Sequence, residues 1–233
     1  MVVMGLSAFK VYKGLQTYSS NQDQYENISR DAVKESSVDF DALKKTNPDI
    51  KAWIKYEDTK MDYPIVQGKD NDKYLHIMFD GTESPFGTLF VDYKTEKAFE
   101  QFNTLVFGHH MKDGSMFGNL KNLKKKKYAE KHPEFQLSLP NGDYHLYIWA
   151  FLNPADDDKV YLTNLKTLRE KKAYLKHVRE EALYLMDFDV TETDTLVVLS
   201  TCAYEYEGAR YVVVCKMMPV TVVEEGLENL QEN

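Results

Sequence analysis

The spacing of apolar and polar positions changes several times along the chain, and most of it indicates short strands. Alternation over Phe135–Leu139 and Tyr144–Leu152, on either side of Asn141–Gly142, predicts a β-hairpin, because Asn-Gly suits the tight turns that match strand twist. Compact apolar runs at Thr104–Phe107, Thr195–Thr201 and Arg210–Met217 predict buried strands. Trp53, Ile54, Tyr63, Ile65 and Val66 fall on further strands after the Asn47–Pro48 turn, and Thr88–Tyr93 on another beyond the Gly81–Gly87 loop. Helical spacing is rarer. Ile28, Ala32 and Val33 share a face, Asp39 stands where it can cap a second helix with Phe40 and Leu43 inside, and Tyr74–Phe79 reads as a short helix or turn. Met116, Phe117, Leu120 and Leu123 recur near every 3.6 residues, predicting that Ser115–Leu123 begins a helix. The strongest helical pattern is Arg169–Phe188, with Leu175, Val178, Ala182 and Leu185 on one face and Lys171, Lys172, Lys176, Arg179 and Glu180 over the rest. With no βαβ rhythm, repeat or linker, these elements predict a mainly β protein, an all-β barrel decorated with helices.

Length and composition narrow this further. The chain has 233 residues, 43% of them hydrophobic, enough for one moderate domain with a substantial core. A net charge of −8 argues against nucleic acid as a partner. The one basic concentration, Lys121–Lys127, reads first as a solvated helix face or turn, and second as a patch toward anionic wall polymer or lipid. The apolar run Met1–Phe9 rises only about 14 Å as a helix, too little to span a bilayer, and no basic residue precedes it as in a signal peptide. It reads either as an ordinary amphipathic start or as part of a trimmed membrane anchor.

The candidate chemistry lies at strand ends. The two cysteines, Cys202 and Cys215, form no disulfide framework and no Cys-x-x-Cys pair. Cys215 has apolar neighbours and reads as a small buried hydrophobe, unless it bridges Cys202 across a hairpin. Cys202 closes the run TLVVLSTC and Arg210 opens RYVVV, so a loop can set them on adjacent strands; His109 follows the TLVF strand and Gly108. A thiol, an imidazole and a guanidinium suit attack on a carbonyl, proton transfer and stabilisation of the oxyanion. Each has a bland reading as well: Cys202 as packing, His109 as a turn residue, Arg210 as a partner for Glu205 or Glu207. His109 and His110 are adjacent and would point oppositely on a strand, without a further ligand cluster, so no metal is expected. Ser200 shares strand parity with Cys202, and Ser200 and Tyr204 flank it as candidate substrate-pocket residues. The loop Asn153–Thr163 and the helix after it are the candidate groove wall.

The strings NTLVFGHHMKDGSMFGNL at Asn103–Leu120 and TLVVLSTCAYEYEGARYVVV at Thr195–Val214 resemble class B sortases, supported by Asn47–Leu75 and Phe86–Tyr93 in the same order. The likeness runs from about Asn47 to Val220 and looks closest to the clostridial members. It implies an eight-stranded sortase-type β-barrel with N-terminal helices and a long helix before the cysteine strand. The implied organisation is an anchor remnant and linker at 1–21, a helical segment at 22–45, a catalytic barrel at 46–222 and a polar tail at 223–233. It further implies a transpeptidase without cofactor that cleaves a C-terminal sorting motif between threonine and glycine and passes the acyl group to a peptidoglycan amine, free or on a lipid-linked precursor. Cys202 matches the family's nucleophile, His109 its acid-base residue and Arg210 its oxyanion-stabilising arginine. The partners implied are surface proteins bearing sorting signals and wall precursors. The implied location is the outer face of the cell membrane, held by an N-terminal anchor, while the chain as given reads as a soluble form.

Overall fold

The computed structural model describes residues 19–34, 37–202 and 208–220. Eight strands form its frame: β1 Ile50–Lys55, β2 Asp62–Val66, β3 Leu89–Val91, β4 Asn103–Phe107, β5 Glu134–Leu139, β6 Gly142–Leu152, β7 Thr195–Cys202 and β8 Arg210–Pro219. They pair in the order β8-β7-β4-β3-β2-β1-β5-β6, and β6 pairs back onto β8, which closes the barrel. Closure leaves the frame without open edges. Two pairings are parallel, β2 with β3 and β4 with β7. Parallel neighbours need long crossovers. The short helix α3, Lys73–His76, lies on the first, and β5, β6 and the long helix α5, Leu168–Glu181, lie on the second.

The near-continuous apolar runs of β7 and β8 follow from burial on both faces. Val197, Leu199, Val213 and Cys215 turn into the core that fills the barrel. Leu196, Val198, Val212 and Val214 turn outward against Tyr174, Leu175 and Val178 of α5. Side chains of this size each stabilise by about 1.5–3 kcal/mol when fully buried. The outward faces of β4, β7 and β8 therefore lie against α5 and the loop that precedes it.

Helix α5 is shorter than its apolar period. Thr167 and Glu170 start it with a reciprocal capping box, and Ala182 ends it with an extended backbone. Ala182 and Leu185 still pack on the outer core, but Leu185 belongs to a two-residue strand, Tyr184–Leu185, added to β6. Leu183 N–H donates to Phe151 and Met186 N–H to Trp149, both at 2.8 Å. The β5 pairing stops at Tyr147, so β6 beyond it has carbonyls to satisfy, and these outcompete another helical turn.

Ser115–Leu123 also departs from the expected helix. His110 bridges Met116, and Phe117 N–H donates to the His109 carbonyl at 3.0 Å, so the chain is still curled where a helix would begin. Only a 3₁₀ segment, Gly118–Lys124, follows, then α4 at Lys126–Lys131. The apolar spacing identified what is buried, since Met116, Phe117, Leu120 and Leu123 are all fully enclosed. Lys121 and Lys124–Lys127 are exposed. The hairpin forms as expected, with Leu139 opposite Gly142, so that Pro140 and Asn141 occupy its turn.

At the N-terminus, helix α1 covers residues 19–32 and Val33 leaves it to pair with Val38. Asp39 caps α2, Phe40–Thr46, through Ala42 N–H at 2.9 Å, with Phe40 and Leu43 buried. Tyr25 of α1 packs edge-on against Tyr63, and its hydroxyl donates to the Gly87 carbonyl. Asn21 donates to Ser84 at 2.8 Å. No helix among the described residues is long and apolar enough to cross a membrane. The segments expected as anchor and tail fall largely outside the described residues.

Candidate active site

Strand register pairs two of the three candidate positions and relates the third to them. In the antiparallel β7–β8 ladder Cys202 stands opposite Arg210. In the parallel β4–β7 ladder Ser200 aligns with Phe107, and Gly108 N–H extends the pairing by donating to the Ser200 carbonyl at 3.2 Å. His109 and Cys202 each lie two residues beyond the Phe107–Ser200 pair, and Arg210 faces Cys202 from the other neighbouring strand. The same register excludes a Cys202–Cys215 bridge. Cys215 pairs with Val197, five positions back along β7 or about 17 Å of strand, and it is a free buried thiol.

His109 is held from a third element. Its Nε2 lies 2.8 Å from the Leu75 carbonyl, at the end of α3. A carbonyl only accepts, so Nε2 carries the proton and Nδ1 is left as the basic atom. The residue before it has no room for a side chain: a Cβ on Gly108 would lie 2.3 Å from Leu89 Cδ2 and 2.7 Å from Phe117. His110 takes a different direction, with its ring 5.7 Å from Tyr211.

Leu75 is set in turn by Gly87. This glycine has φ +56°, and a Cβ there would meet the Tyr74 oxygen at 2.2 Å and the Leu75 oxygen at 2.8 Å. Gly87→Ala is therefore expected to cost roughly 2–4 kcal/mol in urea unfolding. The residual folded enzyme should lose about 10- to 100-fold in kcat/KM, because the carbonyl that aims the imidazole is displaced. A variant with unchanged kcat/KM would show that Leu75 does not orient His109.

The loop between β6 and α5 meets Arg210, Ser200 and Phe107. The Pro154 carbonyl accepts Arg210 N–H at 3.0 Å. The Arg210 guanidinium donates to the Ala209 carbonyl at 3.1 Å and lies 3.5 Å from the Asp156 carboxylate. Asp156 is mostly exposed, and such pairs are worth at most about 1 kcal/mol, so the guanidinium is free to turn to a stronger acceptor. Tyr161 stacks over Phe107 with ring centroids 6.3 Å apart, and its hydroxyl is 3.3 Å from Ser200 Oγ. Burial pushes that hydroxyl up to about 12, opposed by the Ser200 bond and the Arg210 charge, so it stays protonated at neutral pH. Ser200 is fully buried and engaged with Tyr161. Tyr204 lies outside the described residues.

Sequence reasoning named the loop but missed Leu75, Asp156 and Tyr161 within this setting. Leu75 acts through its backbone and leaves no side-chain signal. Tyr161 stands beside the buried Val160, and an aromatic following an Asp-capped turn is the one local clue to it.

A family model for the sortase domain matches residues 54–218. Sortase B of Listeria monocytogenes is 31% identical over 94% of this chain and 94% of its own. Sortase B of B. anthracis, solved in complex with AAEK1, superposes with a TM-score of 0.78 at 31% identity, covering 88% of this chain and 99% of that one. Clostridium perfringens sortase B gives 0.72 at 32% identity, over 77% of this chain and 99% of the other. The chain belongs to the sortase family. Its likeness is to class B throughout, and it is a sortase B-type enzyme; the level identities to bacillar, listerial and clostridial relatives single out no branch.

Proposed function

We propose that this class B sortase is a cysteine transpeptidase, which cleaves a C-terminal sorting motif of surface proteins between threonine and glycine and joins the threonine to a peptidoglycan amine. The observation that carries the reading is the register that sets Cys202 opposite Arg210, with His109 as far past the end of the parallel ladder on β4 as Cys202 is on β7. In this reading the Cys202 thiol gives its proton to His109 and the sulfur attacks the threonine carbonyl carbon. The carbonyl electron pair moves to oxygen, where Arg210 stabilises the charge. Collapse of that adduct breaks the bond to glycine, whose nitrogen takes the proton from the imidazolium. An incoming amine then attacks the thioester, His109 removes its proton, and the Cys202 sulfur leaves as thiolate.

Transfer to an amine rather than water requires a positioned acceptor and a shielded thioester. The loop carrying Asp156 and Tyr161 lies where it can shield one side. The natural partners in this reading are surface proteins with sorting signals and wall precursors, met on the outer face of the membrane through an N-terminal anchor. A clostridial affinity remains part of the proposal and rests on the sequence strings alone.

Peptide libraries bearing candidate sorting motifs, incubated with and without an acceptor amine and read by mass spectrometry, test this directly. The expected products are a thioacyl adduct on Cys202, cleavage after threonine, and a conjugate whose yield rises with amine. Release of free acid alone at every amine concentration would reject transpeptidation, and scission at another bond would reject the motif.

A further inference from the structure

The stretch 154–161 touches the two strands that carry Cys202 and Arg210 and the strand that leads into His109, each within two positions of one of these residues. Pro154 and Asp156 meet Arg210, and Tyr161 meets both Ser200 and Phe107. A loop holds such a shape only if something outside the site fixes it, since ordering each backbone residue costs about 1–2 kcal/mol. Two pins come from α5. The Tyr174 hydroxyl donates to the Val160 carbonyl at 3.0 Å. Three residues on, and so on the same helix face, His177 Nε2 lies 2.7 Å from Asp158 Oδ1, with both side chains only 18% exposed. That same oxygen accepts the Val160 N–H at 2.7 Å and caps the 3₁₀ turn Lys159–Tyr161.

We propose that Asp158 and His177 form a latch that holds this loop against the catalytic end of the barrel, making them positioning residues for substrate binding. The inference deepens the proposed function and rests on it for what the loop serves. Asp158 caps the turn by itself; His177 ties the capped turn to α5. Neither side chain is among the groups that meet the three candidate strands. Loosening the latch leaves Cys202 and Arg210 on their strands and His109 on its Leu75 hydrogen bond, and weakens only the wall against which the sorting peptide is bound. Such a loss raises KM and leaves kcat nearly unchanged.

The test uses His177→Ala, His177→Leu and His177→Gln with a cleavable motif peptide, alongside amide exchange at Val160 and Arg210. Alanine removes the bond, leucine removes it while filling most of the imidazole's volume, and glutamine carries an amide donor near the Nε2 position. The expected result is a KM about tenfold higher for alanine and leucine, with kcat within about twofold, and recovery to within about threefold of wild type for glutamine. Amide exchange at both sites should quicken in the leucine variant and not in the glutamine variant. If alanine fails to accumulate as folded protein, leucine carries the comparison. Unchanged KM and unchanged exchange in the leucine variant would overturn the latch, as would a glutamine variant as impaired as leucine. Wild-type enzyme that forms no thioacyl adduct would instead overturn the functional reading, and the exchange data would still decide the latch.

Discussion

Cys202→Ala is expected to fold normally and form no thioacyl adduct with a sorting peptide, with turnover falling by about 10⁴-fold or more. The fold should survive because the backbone pairing of Cys202 with Arg210 does not involve the thiol, and the apolar β7 side chains that fill the two cores lie at Leu196–Leu199. The other cysteine cannot substitute. Burial pushes the Cys215 thiol far up, no group beside it opposes that, and its position opposite Val197 keeps it inside the barrel. An intact mass taken after exposure to peptide should therefore show one acyl group on wild type and none on the variant, with thermal unfolding within a few degrees. An adduct persisting on Cys202→Ala would move the nucleophile elsewhere and undo the functional reading.

What the sequence made legible divides along physical lines. The runs at 195–201 and 210–217 were readable because both faces of β7 and β8 are buried, which leaves an uninterrupted apolar string. The pairing of Cys202 with Arg210 was readable too, since a short connection between two strands favours a hairpin. The place of His109 was not. It depends on β4 lying parallel to β7, a pairing between segments far apart in the chain with no local signature; the sequence showed His109 only as a residue at a strand end, and the family resemblance supplied its partner. Leu185 shows the converse failure: it continues the helical period of α5, yet the edge of β6 that β5 leaves open beyond Tyr147 draws it into a strand. The Asp158 cap has a local signal, an aspartate two residues ahead of a buried valine, whereas its partner His177 becomes visible only when α5 is packed.

His109→Ala and His109→Gln are both expected to lose about a thousandfold or more in the rate of acylation, and their comparison isolates what the imidazole does. The Leu75 carbonyl holds Nε2 at 2.8 Å, so the proton-accepting work falls to Nδ1. A glutamine amide can restore the bond to Leu75 but offers no base, so orientation without basicity should be as poor as alanine. Stability separates the two instead: glutamine should unfold close to wild type, and alanine should lose about 1 kcal/mol through the unpaired carbonyl. Added imidazole should recover part of the acylation rate in the alanine variant, where the ring's space is open, and less in glutamine, where it is filled. Stopped-flow acylation with a fluorescent motif peptide measures the rates, and urea unfolding measures the stabilities. Should glutamine retain wild-type acylation, His109 would be a structural prop for the β4 exit, and the base would have to be sought among other groups at this end of the barrel.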